Sequence, residues 1–278
     1  MKKQSRLLTL FFILAGAISA SYTVISLKSD SLNMPVKEFC TSNRPRKIKI
    51  ANWNLEVFGD SKSRNLELMQ SYANIISQYD IVFVQEIRDR DSSAFYDLCK
   101  LLPNYEFKLS SRAGRSIIKE QYGLLYRKGI KIRDFKDFNP DHQDRWERPP
   151  ICASFNIDDY NFTIYNIHTD PDNVKRELSY LEKLVSQNPE GNITILGDLN
   201  ADQSYYNNQR ETEFDSWHWL IKDFEDTTTT STNAAYDRII MNSDAFEEYL
   251  SHGIHTQDIT RSMSNHYLVW FEIEAREK

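Results

Sequence analysis

The chain is poor in cysteine. Cys40, Cys99 and Cys152 are the three thiols among 278 residues, too few for a disulfide-stapled scaffold, and an odd number cannot pair completely. Cys99 falls on a helical pattern and Cys152 in an apolar strand pattern, so both read as packed small side chains. No Cys/His pair has ligand spacing, which argues against a zinc site. Positive charge is also short: 34 Lys and Arg face 40 Asp and Glu, a formal charge of −6. Basic contacts to phosphate normally supply nucleic-acid affinity, so this balance argues against a tight nucleic-acid-binding module. It is compatible with an enzyme whose acidic groups hold a divalent cation against a phosphate. Repeats and low-complexity tracts are lacking, and 278 residues suffice to bury a sizeable core.

What is present begins with a basic leader. Lys2, Lys3 and Arg6 precede an apolar run from Leu7 to Ala17, followed by Ser19 and Ala20. That order reads as a secretory signal peptide over 1–27, and places the protein outside the cytoplasm, secreted or periplasmic. The alternative is an uncleaved membrane anchor, since tolerable residues continue to Leu27. Residues 28–46 read as a linker and 47–275 as one domain.

Aromatic residues make up 13% of the chain, which suits a strand-rich fold. Ile48 to Asn54 alternates and then turns polar, as a strand running into a loop does. Leu66, Met69, Tyr72, Ala73 and Ile76 recur at helical spacing and predict a helix over 62–78. Ile81 to Val84 is a short apolar run, hence a strand buried on both faces. A second helix is expected from Asp91, and a third over 173–187. Further strands are expected at 104–109, 121–127, 150–157, 161–167, 193–196, 238–241 and 267–273. Helices lying between strands predict an α/β architecture, two packed sheets with helices outside.

Polar residues gather where these strands end: Asn54, the pair Glu86 and Arg88, His168, the pair Asp198 and Asn200, the pair Asp237 and Arg238, and His266. Such a set suits phosphodiester hydrolysis, which needs charge neutralisation, a nucleophilic water and a proton for the leaving alkoxide. Glu86 offers the hard oxygens that Mg²⁺ prefers. Asn54 and Asn200 suit phosphate oxygens or the cation's waters without adding negative charge. His168 and His266 are acid/base candidates, because imidazole titrates near neutrality. Glu120 and Asp237 are available to orient them. Each has a structural alternative: Asp198 as a turn residue, His168 as a strand-end histidine, Arg238 as a surface ion pair.

Taken in order, these motifs resemble the endonuclease/exonuclease/phosphatase superfamily and, within it, the deoxyribonuclease I branch. The strings are Asn52-Trp53-Asn54, Gln85-Glu86-Ile87-Arg88-Asp89, Lys119-Glu120-Gln121-Tyr122, Arg148-Pro149-Pro150, Ile167-His168, Gly197-Asp198-Leu199-Asn200-Ala201, Ala235-Tyr236-Asp237-Arg238-Ile239 and Ser264-Asn265-His266-Tyr267. The resemblance implies a four-layer αββα sandwich that hydrolyses DNA endonucleolytically. It implies Mg²⁺ (or Mn²⁺) at Glu86, with Asn54, Asp198, Asn200 and Asn265 around it. His168 with Glu120, and His266 with Asp237, would form the acid/base pair. Asn54, Arg88, Arg148 and Tyr236 would contact substrate, Arg88 through the minor groove. Asp226, Thr228, Thr230 and Thr232 match an alternating loop that binds structural Ca²⁺; every second residue of an extended loop points the same way.

The chain departs from the family at four places. Asn265 stands where an Asp is usual, which keeps hydrogen bonding but loses charge. Ile118 replaces a Tyr that stacks on the DNA sugar. Gln203 and Ala234 replace a disulfide, and Pro149 replaces a Glu of another Ca²⁺ site. The resemblance implies DNA as partner, a monomer, and no stable protein partner. Other phosphoesters (abasic DNA, RNA, phospholipid, inositol phosphate) and a weakly catalytic binding or toxin-subunit module are the alternatives. The polar segment 135–148 counts against a lipid substrate. The Asn-x-Thr sequons at Asn161 and Asn192 fall inside strand patterns.

Overall fold

A computed structural model describes residues 46–187, 191–207 and 213–276. The expected leader, all but the last residue of the expected linker, and Cys40 lie outside the described residues. No helix among the described residues is long and apolar enough to cross a membrane.

The strands, in chain order, are β1 (Arg46–Phe58), β2 (Ile81–Ile87), β3 (Tyr105–Leu109), β4 (Gln121–Arg127), β5 (Lys131–Asp137) and β6 (Ile151–Ile157). Next come β7 (Tyr160–Asn166), β8 (Asn192–Asp198), β9 (His218–Trp219), β10 (Asp237–Met241), β11 (Tyr249–His255) and β12 (Leu268–Ala275). The helices are α1 (Asp60–Ser63), α2 (Leu66–Ile76), α3 (Ser93–Lys100), α4 (Val174–Val185), α5 (Gln203–Asn207) and α6 (Ser243–Phe246).

Two six-stranded sheets form, ordered β11-β12-β1-β2-β4-β3 and β5-β6-β7-β8-β10-β9. Each is mixed, with one parallel pair at its centre, β1 with β2 and β7 with β8. Period-2 alternation sorts side chains between layers. Ile48, Ile50, Ile81 and Phe83 join Phe155, Ile164, Leu196 and Ile239 in the core between the sheets. Their neighbours Ala51, Trp53, Val82 and Val84 turn outward onto Met69, Tyr72, Phe95 and Leu98 of α2 and α3. On the far side, Tyr165, Ile193 and Ile195 meet Leu178 and Leu181 of α4. These three cores define the expected αββα layering.

The expected strands all form, β4 with the expected ends and the others shifted by up to three residues, except that β1 runs on to Phe58. The helix expected over 62–78 is instead two pieces, because Asn65 accepts Leu68 N–H at 3.1 Å and starts a new helix. The second helix begins at Ser93 rather than Asp91; Asp89 Oδ2 accepts Ala94 N–H at 3.0 Å from just before it. Strands β5, β9 and β11 were not expected. All three are sheet edges with half-exposed side chains, so none carries an apolar run. Cys99 and Cys152 are free thiols, and burial pushes both up to about 12.

Candidate active site

The site forms where the parallel centres of both sheets end. Beside β2, the register of β1 shifts between Asn54 and Phe58, and that of β2 beside β4 shifts between Val84 and Ile87. Glu56, Val57 and Glu86 take positive φ there (45°, 51° and 61°). Each such backbone costs of order 1–3 kcal/mol and persists only where its surroundings hold it. Here the return is convergence. Asn54 Nδ2 donates to Glu86 Oε1 at 3.1 Å and to Asp198 Oδ2 at 3.0 Å, while Val57 N donates to Glu86 Oε2 at 2.8 Å.

Asp198 reaches this point because of Gly197. A Cβ at Gly197 would lie 2.0 Å from Ile167 O, at the end of neighbouring β7, and 2.8 Å from Gln85 Nε2 of the facing sheet, so only glycine fits where β8 meets both. Asp198 N then donates to Gln85 Oε1 at 3.1 Å. Beneath it runs a buried polar seam. Asn166 Nδ2 donates to Asn52 Oδ1 at 2.8 Å and to Leu196 O at 2.7 Å; Gln85 Nε2 donates to Asn166 Oδ1 at 3.2 Å and to Ile167 O at 2.9 Å. Buried amides left unpaired would cost several kcal/mol each, so the seam fixes one alignment of the sheets. No role had been assigned from sequence to Asn52, Gln85 or Asn166. The available signal was polar residues interrupting otherwise apolar strands.

Two imidazoles face the same carboxylate oxygen. His168 Nε2 lies 3.4 Å from Asp198 Oδ2, and His266 Nε2 lies 3.5 Å from it. Behind them, His168 Nδ1 sits 2.9 Å from Glu120 Oε1 and His266 Nδ1 sits 2.7 Å from Asp237 Oδ2. The first is an ion-pair contact, whereas the second is a hydrogen bond. Burial pulls His266 down, but Asp237 and Asp198 outweigh it and hold the imidazole up at about 10. His168 is likewise raised: burial lowers it, and Glu120 with Asp198 prevails over burial and Arg148. For Glu120, burial pushes up, yet His168, Arg148 and Arg88 bring it to about 2. Burial also pushes Asp198 up, and the two imidazoles outweigh it, leaving Asp198 lowered. Asp237, fully buried, stays raised by desolvation despite His266.

The cleft has a volume of about 480 Å³, and its lining includes Glu86, Arg88, Arg148, His168, Asp198, Asn200, Tyr236, Asn265 and His266. Arg88 pairs with Glu86 at 2.9 Å. Arg148 Nε lies 2.7 Å from Glu120 Oε1 and donates to His168 O at 2.9 Å. Asn200, at φ 48°, donates Nδ2 to Thr169 O at 3.0 Å. The Tyr236 ring lies 6.5 Å from that of His266. Asn265 Oδ1 is buried without a hydrogen-bond partner, so one oxygen at the cleft is unspent. With the carboxylates of Glu86 and Asp198 it makes an all-oxygen donor set that fits Mg²⁺ or Mn²⁺. Glu86 also groups with Glu120 and His168, with ligand atoms within 4.8 Å of one another. Asn54 turns its nitrogen to both carboxylates, and its Oδ1 accepts Glu56 N–H at 2.9 Å. In that orientation its nitrogen clamps the two carboxylates together.

Asp226, Thr228, Thr230 and Thr232 converge beside this cleft, and the three threonines line it. Asp226 Oδ1 accepts from Thr228 N and Thr228 Oγ1, each at 2.9 Å, and Thr230 Oγ1 lies 3.4 Å from Thr228 Oγ1. These oxygens suit Ca²⁺ in kind. The loop is strapped to the His266 segment: Thr228 bridges His266, Thr229 N donates to Asn265 O at 2.9 Å, and Tyr267 N to Thr227 O at 2.8 Å.

Other singled-out residues lie elsewhere. Arg238 is not a surface pair; it is 1% exposed and donates to Ala201 O at 2.9 Å and Ile221 O at 2.7 Å, away from the cleft. Ile118 and its neighbour Ile117 are exposed on the loop that precedes Glu120, outside the cleft lining. Asn161 is exposed on β7 and Asn192 buried on β8.

A model of the endonuclease/exonuclease/phosphatase family matches residues 51–262. Deoxyribonuclease-1 of Gallus gallus is 31% identical over 265 residues, covering 82% of this chain and 93% of that protein. Among solved structures, a family protein from Leptotrichia buccalis superposes with a TM-score of 0.63 at 16% identity, covering 82% of this chain and 99% of its own. A mannosyl-6-phosphatase from Bacteroides thetaiotaomicron gives 0.60 at 16% identity, covering 81% and 98%. Likeness at that identity speaks for the fold alone, but the family match and the deoxyribonuclease relationship go further. The chain belongs to the endonuclease/exonuclease/phosphatase family of phosphoester hydrolases, on its deoxyribonuclease I-like branch.

Proposed function

We propose that the protein is an exported, metal-dependent endonuclease that cleaves DNA, its catalytic domain spanning 47–275 behind a leader (1–27) and a linker (28–46). The observation that carries the reading is the pair of imidazoles, each backed by its own carboxylate, converging on Asp198 beside Glu86. The relatives named deoxyribonuclease-1 support DNA as substrate.

In this reading Glu86, Asp198 and Asn265 would hold Mg²⁺ or Mn²⁺, with Asn54 and Asn200 around the ion and Asn54 clamping the carboxylates. The cation would supply charge neutralisation at the phosphoryl oxygens. Arg148 binds phosphate, Arg88 reaches into the minor groove, Asn200 binds a phosphoryl oxygen, and Tyr236 packs against the nucleotide. His168 and His266 divide the proton traffic. One, in its charged form, gives a proton from Nε2 to the leaving alkoxide, and the other, in its neutral form, takes one from the attacking water, so the protein's net protonation is restored. Glu120 and Asp237 hold the rings in place. A structural Ca²⁺ at Asp226 to Thr232 would steady the His266 segment. The protein works as a monomer without a stable protein partner.

The test is nicking of supercoiled plasmid by protein beginning near Lys28, with Mg²⁺, with Mg²⁺ plus Ca²⁺, and with chelator. Cation-dependent open circles support the endonuclease. Intact plasmid alongside cleavage of bis(p-nitrophenyl) phosphate would sink DNA as the substrate while keeping the chemistry. Folded protein inert towards both would sink the enzyme reading.

A further inference from the structure

The bulge that carries Asn54 and the segment that carries His266 share a half-buried ammonium. Lys62, on α1, donates its Nζ protons to Leu55 O at 2.7 Å, to Met263 O at 2.7 Å and to Glu56 O. An ammonium has three donors, and here each meets a backbone carbonyl. The side chain is 14% exposed and lines no part of the cleft. Burial pulls Lys62 down to about 8, resisted by Glu56 and Glu86, so it is charged at neutral pH. The same two chain segments meet again through Ser264 Oγ donating to Asn54 O at 2.6 Å and Trp53 Nε1 donating to His266 O at 3.0 Å. Tyr72 OH adds a second donor to Met263 O at 2.6 Å.

Packing alone does not explain a lysine here, since an aliphatic side chain would fill the space without burying a charge. The carbonyls explain it. The register of β1 against β2 breaks between Asn54 and Phe58, with positive φ at Glu56 and Val57, so the carbonyls of residues 55 and 56 are outside the β1–β2 pairing and face Lys62 instead. We propose that Lys62 is a positioning residue: its ammonium ties the Asn54–Val57 bulge to the Met263–His266 segment and so sets the spacing between Glu86 and His266. The proposal rests on the phosphodiesterase reading for its kinetic arm only; the cation-binding and exchange arms need no substrate.

The experiment compares the parent protein with Lys62→Met and Lys62→Arg at 25 °C, well below their melting temperatures. Three measurements are made: kinetics of plasmid nicking (kcat and KM), Mn²⁺ affinity by calorimetry, and amide exchange across 54–57 and 262–266. Lys62→Met is expected to lower kcat and weaken Mn²⁺ binding about 10- to 100-fold, as loss of an outer support does. KM should change much less, and exchange should quicken at those two segments but not in β8. Lys62→Arg keeps the charge but delivers its donors from a flat fork, so partial recovery is expected. Parent-like kcat, Mn²⁺ affinity and exchange in folded Lys62→Met would overturn the proposal, whatever its melting temperature. If Lys62→Met does not fold, Lys62→Arg decides: it must show weakened Mn²⁺ binding with faster exchange at 54–57, and parent-like values would overturn the proposal. A parent protein that cuts no DNA would remove the substrate assignment and leave the other two arms intact.

Discussion

His266 and the fully buried Asp237 share a 2.7 Å hydrogen bond between strands of different sheets, Asp237 opening β10 and His266 standing just before β12. The carboxylate is the largest influence raising the imidazole against its burial. Asp237→Asn keeps a hydrogen-bonding side chain of the same shape and removes the charge. The expected result is an imidazole that titrates well below its present value of about 10, read by NMR, with activity down about 10- to 100-fold. An unchanged titration would mean that Asp198 alone sets the imidazole.

Removal of either ring tests the acid/base division directly. His168→Ala and His266→Ala should each lower plasmid nicking by about 10²- to 10⁴-fold, the usual worth of a positioned acid or base. Both should keep the parent circular dichroism spectrum. Near-parent activity in either variant removes that residue from the proton traffic.

Stability should carry the mark of the same pair. An imidazole raised from 6.5 to about 10 in the folded state contributes stability that is complete below pH 6.5 and lost as pH rises to 10. Lys62, lowered from 10.5 to about 8, acts with the opposite sign, adding stability as pH climbs from 8 to 10.5. Urea midpoints of chelated parent and His266→Asn protein, compared at pH 6, 8 and 10, separate the two. The parent should lose more than the variant across this span; parallel curves would contradict the raised imidazole. At the acid end, Glu120, lowered from 4.5 to about 2, loses its contribution as pH falls through that window.

Gly197→Ala places a methyl group 2.0 Å from Ile167 O. Overpacking of a tight core typically costs about 1–3 kcal/mol, and here the obstacle is backbone, which yields least. The melting temperature should fall and activity with it, since Asp198 follows directly in the chain. A parent-like melting curve would show that β7 and β8 can part without penalty.

Calcium should stabilise through Asp226. At a Ca²⁺ concentration 100 times its dissociation constant, linkage gives about 2.7 kcal/mol, easily seen as a rise in melting temperature. Asp226→Ala should abolish that rise. Equal shifts in parent and variant would place any bound Ca²⁺ elsewhere.

Much of this fold was legible because central strands must be apolar on both faces. Ile81 to Val84 and Ile193 to Leu196 announce themselves, and the polar residues that end them mark the site. The edges were silent for the converse reason: β5, β9 and β11 bury half of each side chain and need no apolar signature. The cleft residues could be named one by one, yet which of them meet is a matter of sheet pairing. Nothing local to Glu120 says that His168 will lie 2.9 Å away. Lys62 reads as an ordinary surface lysine until the chain folds three carbonyls around it.

Each imidazole–carboxylate pair also straddles the sandwich. Glu120 belongs to the sheet of β4 and His168 to that of β7; Asp237 belongs to the sheet of β10 and His266 to that of β12. Neither half of the molecule owns a complete pair, and the seam of Asn52, Gln85 and Asn166 locks the halves in the one alignment that completes both. On the proposed chemistry, competence is therefore all-or-none: a half-folded chain possesses every proposed acid/base group and no working combination of them. Such a chain is latent by construction until its last strand is in place.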